Sequence, residues 1–301
     1  MRPPRLRAGD TIALVAPAGP VPADLLEKAI PVLRGWGVEL RIGPCVRASA
    51  GSPPYLSGSD AERAAEFTDA WCDPGVRCVL AARGGYGVQR MLDLVDWAAL
   101  REAGPKVLAG SSDVTALHRA VDVHLGLSTL FSPMPASVLF DDFAVEHLRR
   151  TLFEPERNLV VRGATASPLV PGRASGTLVG GNLSLLAGGI GTPEHGSARD
   201  AVVLLEDVTE SIYRLDRMLT QLLRSGWFEG VRGIVLGSWA ACGAPEDVEA
   251  LLLERLGPLG VPMLGEFGFG HVASSPTLPL GVPVTLDVEL GTLTFDSPVL
   301  T

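Results

Sequence analysis

Three stretches of this 301-residue chain carry residue types that packing alone does not require. Val107-Leu108-Ala109-Gly110-Ser111-Ser112-Asp113-Val114 reads as a short apolar strand, a turn with two serines, and the start of an amphipathic helix. A serine on a tight strand-to-helix turn is pushed out of the sheet, with the N–H groups of the new helix aimed at whatever its hydroxyl attacks. The plainer alternative is that Ser111 or Ser112 simply caps that helix. Arg83-Gly84-Gly85-Tyr86-Gly87 follows an apolar strand directly. Its glycines allow a ligand to approach the backbone closely, and the carboxyl ends of parallel strands are where crevices form. It is neither the dinucleotide fingerprint, which fails at Arg90, nor a phosphate loop, which needs Gly-Lys-Ser/Thr. A turn without a ligand is the other reading. Glu206-Asp207 closes the apolar run Ala201–Leu205. Asp207 and Glu210 suit capping of the helix that starts just beyond, which leaves Glu206 as the functional acid.

A serine needs a base, and there are five histidines. His118 lies nearly two turns beyond Ser112 and reads as a helix-surface or core residue, with His124 further along. His147 and His195 fall in a helix before the second half and in a Gly/Pro-rich loop. His271, in Gly268-Phe269-Gly270-His271, sits in a glycine-flanked loop and is the best available base. No His, Cys and carboxylate cluster has metal-ligand spacing, so metal catalysis has no support.

Alternating strands and helices must position these residues. Strands are expected at Thr11–Ala16, Val38–Ile42, Val76–Ala82, Val107–Ala109 and near Thr129–Phe131. Helices are expected at Ala23–Trp36, which must tolerate Pro31, at Asp60–Trp71 behind a Ser59 cap, over most of Val88–Ala99, and at Val114–Leu125. Such alternation implies a parallel sheet covered on both faces. Residues 141–172 read as a short helix and a linker. Beyond them come a strand at Ala201–Leu205, a helix at Ser211–Ser225 with apolar residues at helical spacing, a strand at Val231–Leu236, a helix at Glu246–Leu256, and a hairpin at Val282–Leu293 turning at Gly291.

Composition narrows the function class. With 47% apolar and 20% charged residues the chain is an ordinary globular protein, long enough for two domains. A net charge of −9 without runs of Lys or Arg argues against nucleic acid or an anionic membrane as partner. Cys45, Cys72, Cys78 and Cys242 fit neither a zinc site nor a disulfide framework; they read as reduced thiols in a cytoplasmic protein, with Cys78 and Cys242 buried. Met1–Arg7 and Thr11–Ala18 imitate a secretion leader, but Asp10 precedes a short apolar run that Pro17 interrupts. A first strand explains them better.

In this order the fragments resemble the LD-carboxypeptidase family of serine peptidases, which includes the microcin C self-immunity peptidases. The resemblance covers nearly the whole length. It is carried by Ala13–Ala18, Ala82–Gly87, Gly110–Leu117, Gly180-Gly181-Asn182-Leu183-Ser184-Leu185-Leu186, Gly191-Thr192-Pro193, Leu205-Glu206-Asp207, Tyr213–Leu219 and Gly270-His271. It implies Ser112 as nucleophile, Glu206 as acid and His271 as base. The oxyanion donors would be the N–H of Asp113 and one from the glycine loop, Gly85 or its neighbour Gly84. Arg83 or a backbone nest would hold a terminal carboxylate, although Arg83 could equally brace its own loop. One departure is Phe131-Ser132-Pro133-Met134, where His-Gly-Pro-Met is expected in many relatives; it bears on substrate preference.

The expected architecture is α/β. A doubly wound parallel-sheet domain of flavodoxin or class I amidotransferase type, residues 1–140, carries the nucleophile. A linker, 141–172, leads to an α/β domain with a mixed sheet, 173–301, that carries the acid and base. The resemblance further implies a cytoplasmic homodimer without cofactor that releases terminal D-alanine from muropeptide tetrapeptides, the helix Ser211–Ser225 being able to contribute to the interface. Hydrolysis of aminoacyl-nucleotides of the microcin C type is the rival within the family. The short segment between Gly191 and Ala201, which has no aromatic residue to stack on a purine, favours the muropeptide. A catalytically silent small-anion-binding protein is the rival outside it.

Overall fold

The computed structural model describes residues 1–48 and 53–301. Its first sheet is built from β1 (Thr11–Val15), β2 (Glu39–Ile42), β3 (Val76–Ala81), β4 (Val107–Gly110) and β5 (Thr129–Phe131). These pair in parallel in the order β5-β4-β3-β1-β2. Helices on both faces cover it, so β3 and β4 run nearly unbroken apolar and buried. The stretch that imitates a leader is β1, flanked by β2 and β3.

The second sheet contains β6 (Val160–Arg162), β7 (Ser167–Val170), β8 (Arg173–Asn182), β9 (Ala201–Val208), β10 (Gly233–Ala240) and β11 (Met263–Gly265). One further strand, β12 (Leu278–Leu280), crosses back to pair antiparallel with β5. β13 (Pro283–Asp287) and β14 (Thr292–Phe295) complete the second sheet, whose order is β6-β14-β13-β8-β9-β10-β11-β7. Its middle, β8 to β11, is parallel and its flanks are antiparallel, so the sheet is mixed.

Several local expectations hold for identifiable reasons. Ser59 and Glu62 form a capping box at the start of Asp60–Cys72. Pro31 is accommodated within Ala23–Arg34. Others need correction. Val88–Ala99 is not one helix: Val88–Met91 passes into a 3₁₀ turn, and a new helix, Trp97–Ala103, starts where the Asp96 side chain accepts the Ala99 N–H. Residues 141–172 hold more than a short helix and linker. The helix Asp142–Phe153 is capped by Asp141, and β6 and β7 join the second sheet. Cys78 and Cys242 are buried, as is Cys45, and all four cysteines are free thiols. Among the described residues no helix is long and apolar enough to cross a membrane.

Candidate active site

β4 ends at Gly110, and the chain then turns through Ser111 into a 3₁₀ turn, Ser112–Val114, and the helix Thr115–Leu125. Ser112 has φ 59°, in the left-handed region that residues with a Cβ avoid. Such strain persists only where the surroundings over-determine it. Neither serine caps: Ser111 makes no side-chain cap bond, and Val114 occupies the cap of the helix that follows. The capping alternative is therefore excluded, and Ser112 is left half-buried.

The surroundings that hold the turn come from three directions. A Cβ on Gly84 would lie 3.0 Å from Ser112 Cβ and 3.2 Å from its Oγ, so the glycine loop rests directly on the serine. The Val88 N–H, just after that loop, donates to Asp113 Oδ2 at 2.8 Å. Burial pushes the Asp113 carboxyl up to about 6, although that N–H and Arg63 pull the other way. From below, His118 Nε2–H donates to the Gly110 carbonyl at 2.9 Å. Burial lowers His118 to about 4, so it is a neutral core strut rather than a surface residue.

Glu206 and His271 meet on the second sheet. Glu206 lies inside β9, which runs further than the apolar pattern predicts, and its side chain is fully buried. His271 Nδ1 is 2.7 Å from Glu206 Oε2, which leaves Nε2 facing away from the acid. Burial alone would lower this imidazole, but the hydrogen bond and charge of Glu206, with the charge of Asp207, outweigh it and hold His271 above its ordinary value. The approach requires glycine at 270, where φ is 95° and a Cβ would sit 2.5 Å from Glu206 Oε2. The loop is pinned by the Phe267 N–H on the Leu236 carbonyl and the Ser238 N–H on the Phe269 carbonyl. The Phe269 ring packs edge-on against Phe131 of β5, 5.8 Å between centroids.

Asn182, given no role from the sequence, joins the two halves. Its N–H donates to Thr115 Oγ1 at 3.1 Å, one residue beyond the serine turn. Its Nδ2 donates to Glu206 Oε1 at 3.2 Å and Asp207 Oδ1 at 3.0 Å. A Cβ on Gly181 would come within 2.6 Å of Thr115 Oγ1, so this contact also needs glycine. Thus Thr115, Asn182, Glu206 and His271 form an unbroken series of bonds from the serine helix to the imidazole. Among the described residues no hydrogen bond joins Ser112 Oγ to His271 directly; such bonds commonly tighten only with substrate bound. The sequence signal for Asn182 was a Gly-Gly-Asn step before an apolar run, which marks a cap, and Asn182 Oδ1 does accept the Leu185 N–H.

The remaining polar residues around the site are held as follows. Asp207 supports the first turn of the helix Leu183–Gly188, beside its Asn182 cap, accepting the Ser184 N–H at 2.9 Å and its hydroxyl at 2.6 Å, and does not cap the helix that follows β9. Glu210 pairs with Arg214 at 3.4 Å. Arg83 is exposed and donates to the Pro20 carbonyl at 2.6 Å, bracing the neighbouring loop. The backbone at Gly85, φ 124°, packs on Gly19. His147 accepts the Thr277 N–H, and His124 stacks on Trp97 while its Nε2 meets Glu194.

The same architecture occurs in solved structures. The microcin C7 self-immunity protein in complex with glutamyl sulfamoyl guanosine superposes with a TM-score of 0.88 over 100% of this chain and 99% of that one, at 22% identity. The muramoyltetrapeptide carboxypeptidase of Oxalobacter formigenes superposes with a TM-score of 0.78, at 30% identity, over 96% of this chain and 99% of that one. In sequence, residues 12–132 match the LD-carboxypeptidase N-terminal domain and residues 175–286 the LD-carboxypeptidase C-terminal domain. The chain belongs to the LD-carboxypeptidase family. Its relatives include the murein tetrapeptide carboxypeptidase of Pseudomonas aeruginosa, 32% identical over 92% of each chain. A Streptomyces coelicolor protein, itself named a carboxypeptidase by inference, is 53% identical over 100% of this chain and 97% of its own.

Proposed function

We propose that the protein is a serine LD-carboxypeptidase that releases terminal D-alanine from muropeptide tetrapeptides. The observation that carries this is the pair of buried Glu206 and half-buried His271, 2.7 Å apart, tied through Asn182 to the helix of a strained serine. Neutral His271 takes the Ser112 proton on Nε2 as Oγ attacks the carbonyl of the L-centre before D-alanine. Glu206 fixes the imidazole tautomer and stabilises the imidazolium. The Asp113 and Gly85 N–H groups are the donors for the oxyanion, a contribution of about 10²–10³ in turnover for each such donor. Collapse of the intermediate breaks the C–N bond, and His271 gives its proton to the departing amine. Water, deprotonated by the same imidazole, then adds to the acyl-serine and frees the enzyme.

Arg83, with guanidinium nitrogens left over from its bond to Pro20, is the group for the terminal carboxylate. A homodimer using the helix Ile212–Arg224, where Tyr213 is 62% exposed, and a cytoplasmic location belong to the same proposal. The deciding experiment is incubation with a muropeptide tetrapeptide and mass detection of D-alanine. Release that survives a chelator and disappears in Ser112→Ala is the expected result. Release by Ser112→Ala but not by Ser111→Ala would move the nucleophile by one residue. Cleavage of an aminoacyl-sulfamoyl-adenosine in place of the tetrapeptide would favour the rival in the family. A ligand held equally well by Ser112→Ala, with no product from either substrate, would leave a silent binding protein.

A further inference from the structure

Arg63 has no solvent exposure, a state arginine almost never reaches unless it is paired. Within its own helix, Asp60–Cys72, Nη2 pairs with Asp60 Oδ1. Just before that helix, Nε donates to the Gly58 carbonyl at 3.3 Å. Nη1 reaches further: it donates to the Gly87 carbonyl at 2.8 Å and to the Pro17 carbonyl. β1 and β3 are parallel neighbours, so this one nitrogen ties the loop after β1 to the glycine loop after β3. Asp60 Oδ2 also accepts from Arg90, just beyond the glycine loop, at 2.9 Å.

Inside the tied region lies the peptide that carries a proposed oxyanion donor. The Gly19 N–H donates to the Gly84 carbonyl at 3.1 Å. That carbonyl and the Gly85 N–H belong to one planar trans peptide and point in opposite directions. Fixing the carbonyl on Gly19 therefore aims the N–H away from it. Among the described residues the Gly85 N–H has no acceptor in the protein. Three of the five residues Arg83–Gly87 are glycine, so the loop loses much freedom on being ordered. Gly87 itself leaves the clamp its room, since a Cβ there would lie 3.0 Å from Arg63 Nη1.

We propose that Arg63 is a positioning residue for the oxyanion site. By holding the Pro17 and Gly87 carbonyls together it keeps Gly19 on the Gly84 carbonyl, and so sets the direction of the Gly85 N–H. The inference rests on the carboxypeptidase reading and adds to it the group that orients the donor. Arg63 is enclosed and does not itself meet substrate. A donor accelerates the chemical step only where it meets the developing charge, at about 2.7–3.1 Å, without having to be ordered at that moment. Lysine is no equivalent here, because a single ammonium cannot serve Pro17, Gly87, Gly58 and Asp60 as the guanidinium fork does.

The test compares Arg63→Lys with the unaltered protein on two ligands. One is a muropeptide tetrapeptide. The other is a peptide boronate with boron in place of the attacked carbonyl carbon; the boron takes up the Ser112 oxygen as a tetrahedral anion while the proton passes to His271. In Arg63→Lys kcat should fall about 30-fold, a part of the roughly 10²–10³ that a whole donor supplies. KM should stay within about twofold, and the boronate Ki should rise by about the factor by which kcat/KM falls. Ki does not depend on how much of a preparation is folded. A lower kcat with unchanged Ki is therefore a loss of active protein and overturns the inference, and so does a rise in KM alone. Asp60→Asn, at a half-buried position, keeps Arg63 but weakens its anchor, and should show the same joint change at about threefold. It decides the matter if Arg63→Lys does not fold, an unchanged Ki again overturning the inference. D-alanine release by the unaltered protein keeps the carboxypeptidase reading whichever way Arg63 falls. No release from the unaltered protein removes both.

Discussion

His118 is buried and His271 half-buried, and the two imidazoles are pushed in opposite directions. His118 meets a carbonyl, and burial takes it down to about 4. His271 meets a carboxylate, whose bond and charge overcome burial and take it up. The partner reverses the direction, although His118 also lies deeper. A neutral acceptor cannot compensate a charge that has lost its water, whereas an anion can. The signs carry over to stability. His118 binds fewer protons folded than unfolded, so stability is lost as pH falls from the ordinary imidazole value towards about 4. The His271–Glu206 pair contributes fully below that ordinary value, and its contribution fades as pH rises through the raised value of the folded state.

The largest expected effect breaks the comparison if the two histidines are alike. His271→Ala should lower kcat/KM about 10⁴-fold or more, whereas His118→Ala should change it less than about tenfold and lower stability by about 1–3 kcal/mol through the lost bond to the Gly110 carbonyl, which keeps the Ser132 N–H, and the gap left in the core. Steady-state D-alanine release and thermal unfolding read the two; equal losses of activity would end the distinction. Next comes the partner. Glu206→Gln keeps the shape but removes the charge, and should cost about 10³–10⁴ in kcat. In the unaltered enzyme kcat/KM should fall tenfold per pH unit below the raised His271 value, because only the neutral imidazole accepts the serine proton. In Glu206→Gln that limb should move to lower pH, and an unmoved limb would show that the carboxylate does not set it.

The smallest effect concerns Asp113, a third buried group, which has only an N–H to accept. Its carboxyl is raised to about 6 from an ordinary 3.8, so ionisation costs stability, and the cost grows as pH climbs between those values. Asp113→Asn keeps an acceptor for the Val88 N–H. It should raise Tm at pH 7 by the equivalent of about 1–3 kcal/mol and leave Tm at pH 4 nearly unchanged. A variant less stable at pH 7 would mean that the charge itself is being used.

Much of this was readable from the chain because it is local. The strand–turn–helix around Ser112, the glycine loop, the Ser59 cap and the alternation of the first half all depend on neighbours a few residues apart. Glu206 stood out as an acid at the end of an apolar run, and His271 by its glycines. The contacts that organise the site are not local. Asn182 reaches Glu206 across 24 residues and Thr115 across 67, and nothing in its own neighbourhood announces either. Asp207 offers the same lesson in reverse. Local spacing pointed it at the following helix, while the parallel pairing of Asn182 with Glu206 put an earlier helix N-terminus beside it. The break after Met91 was hidden because Leu92, Leu94 and Val95 continue the apolar pattern through the 3₁₀ turn.

β12 has a mechanical consequence. The polypeptide bearing His271 is anchored at one end by β11 in one sheet and at the other by β12, hydrogen-bonded to Phe131 and Thr129 in the other. A shear between the sheets therefore pulls on that strap and displaces the imidazole. Cutting the chain after residue 140 would strip the neighbour from β5 and bare a sheet edge prone to self-association. Neither half can be lifted out whole.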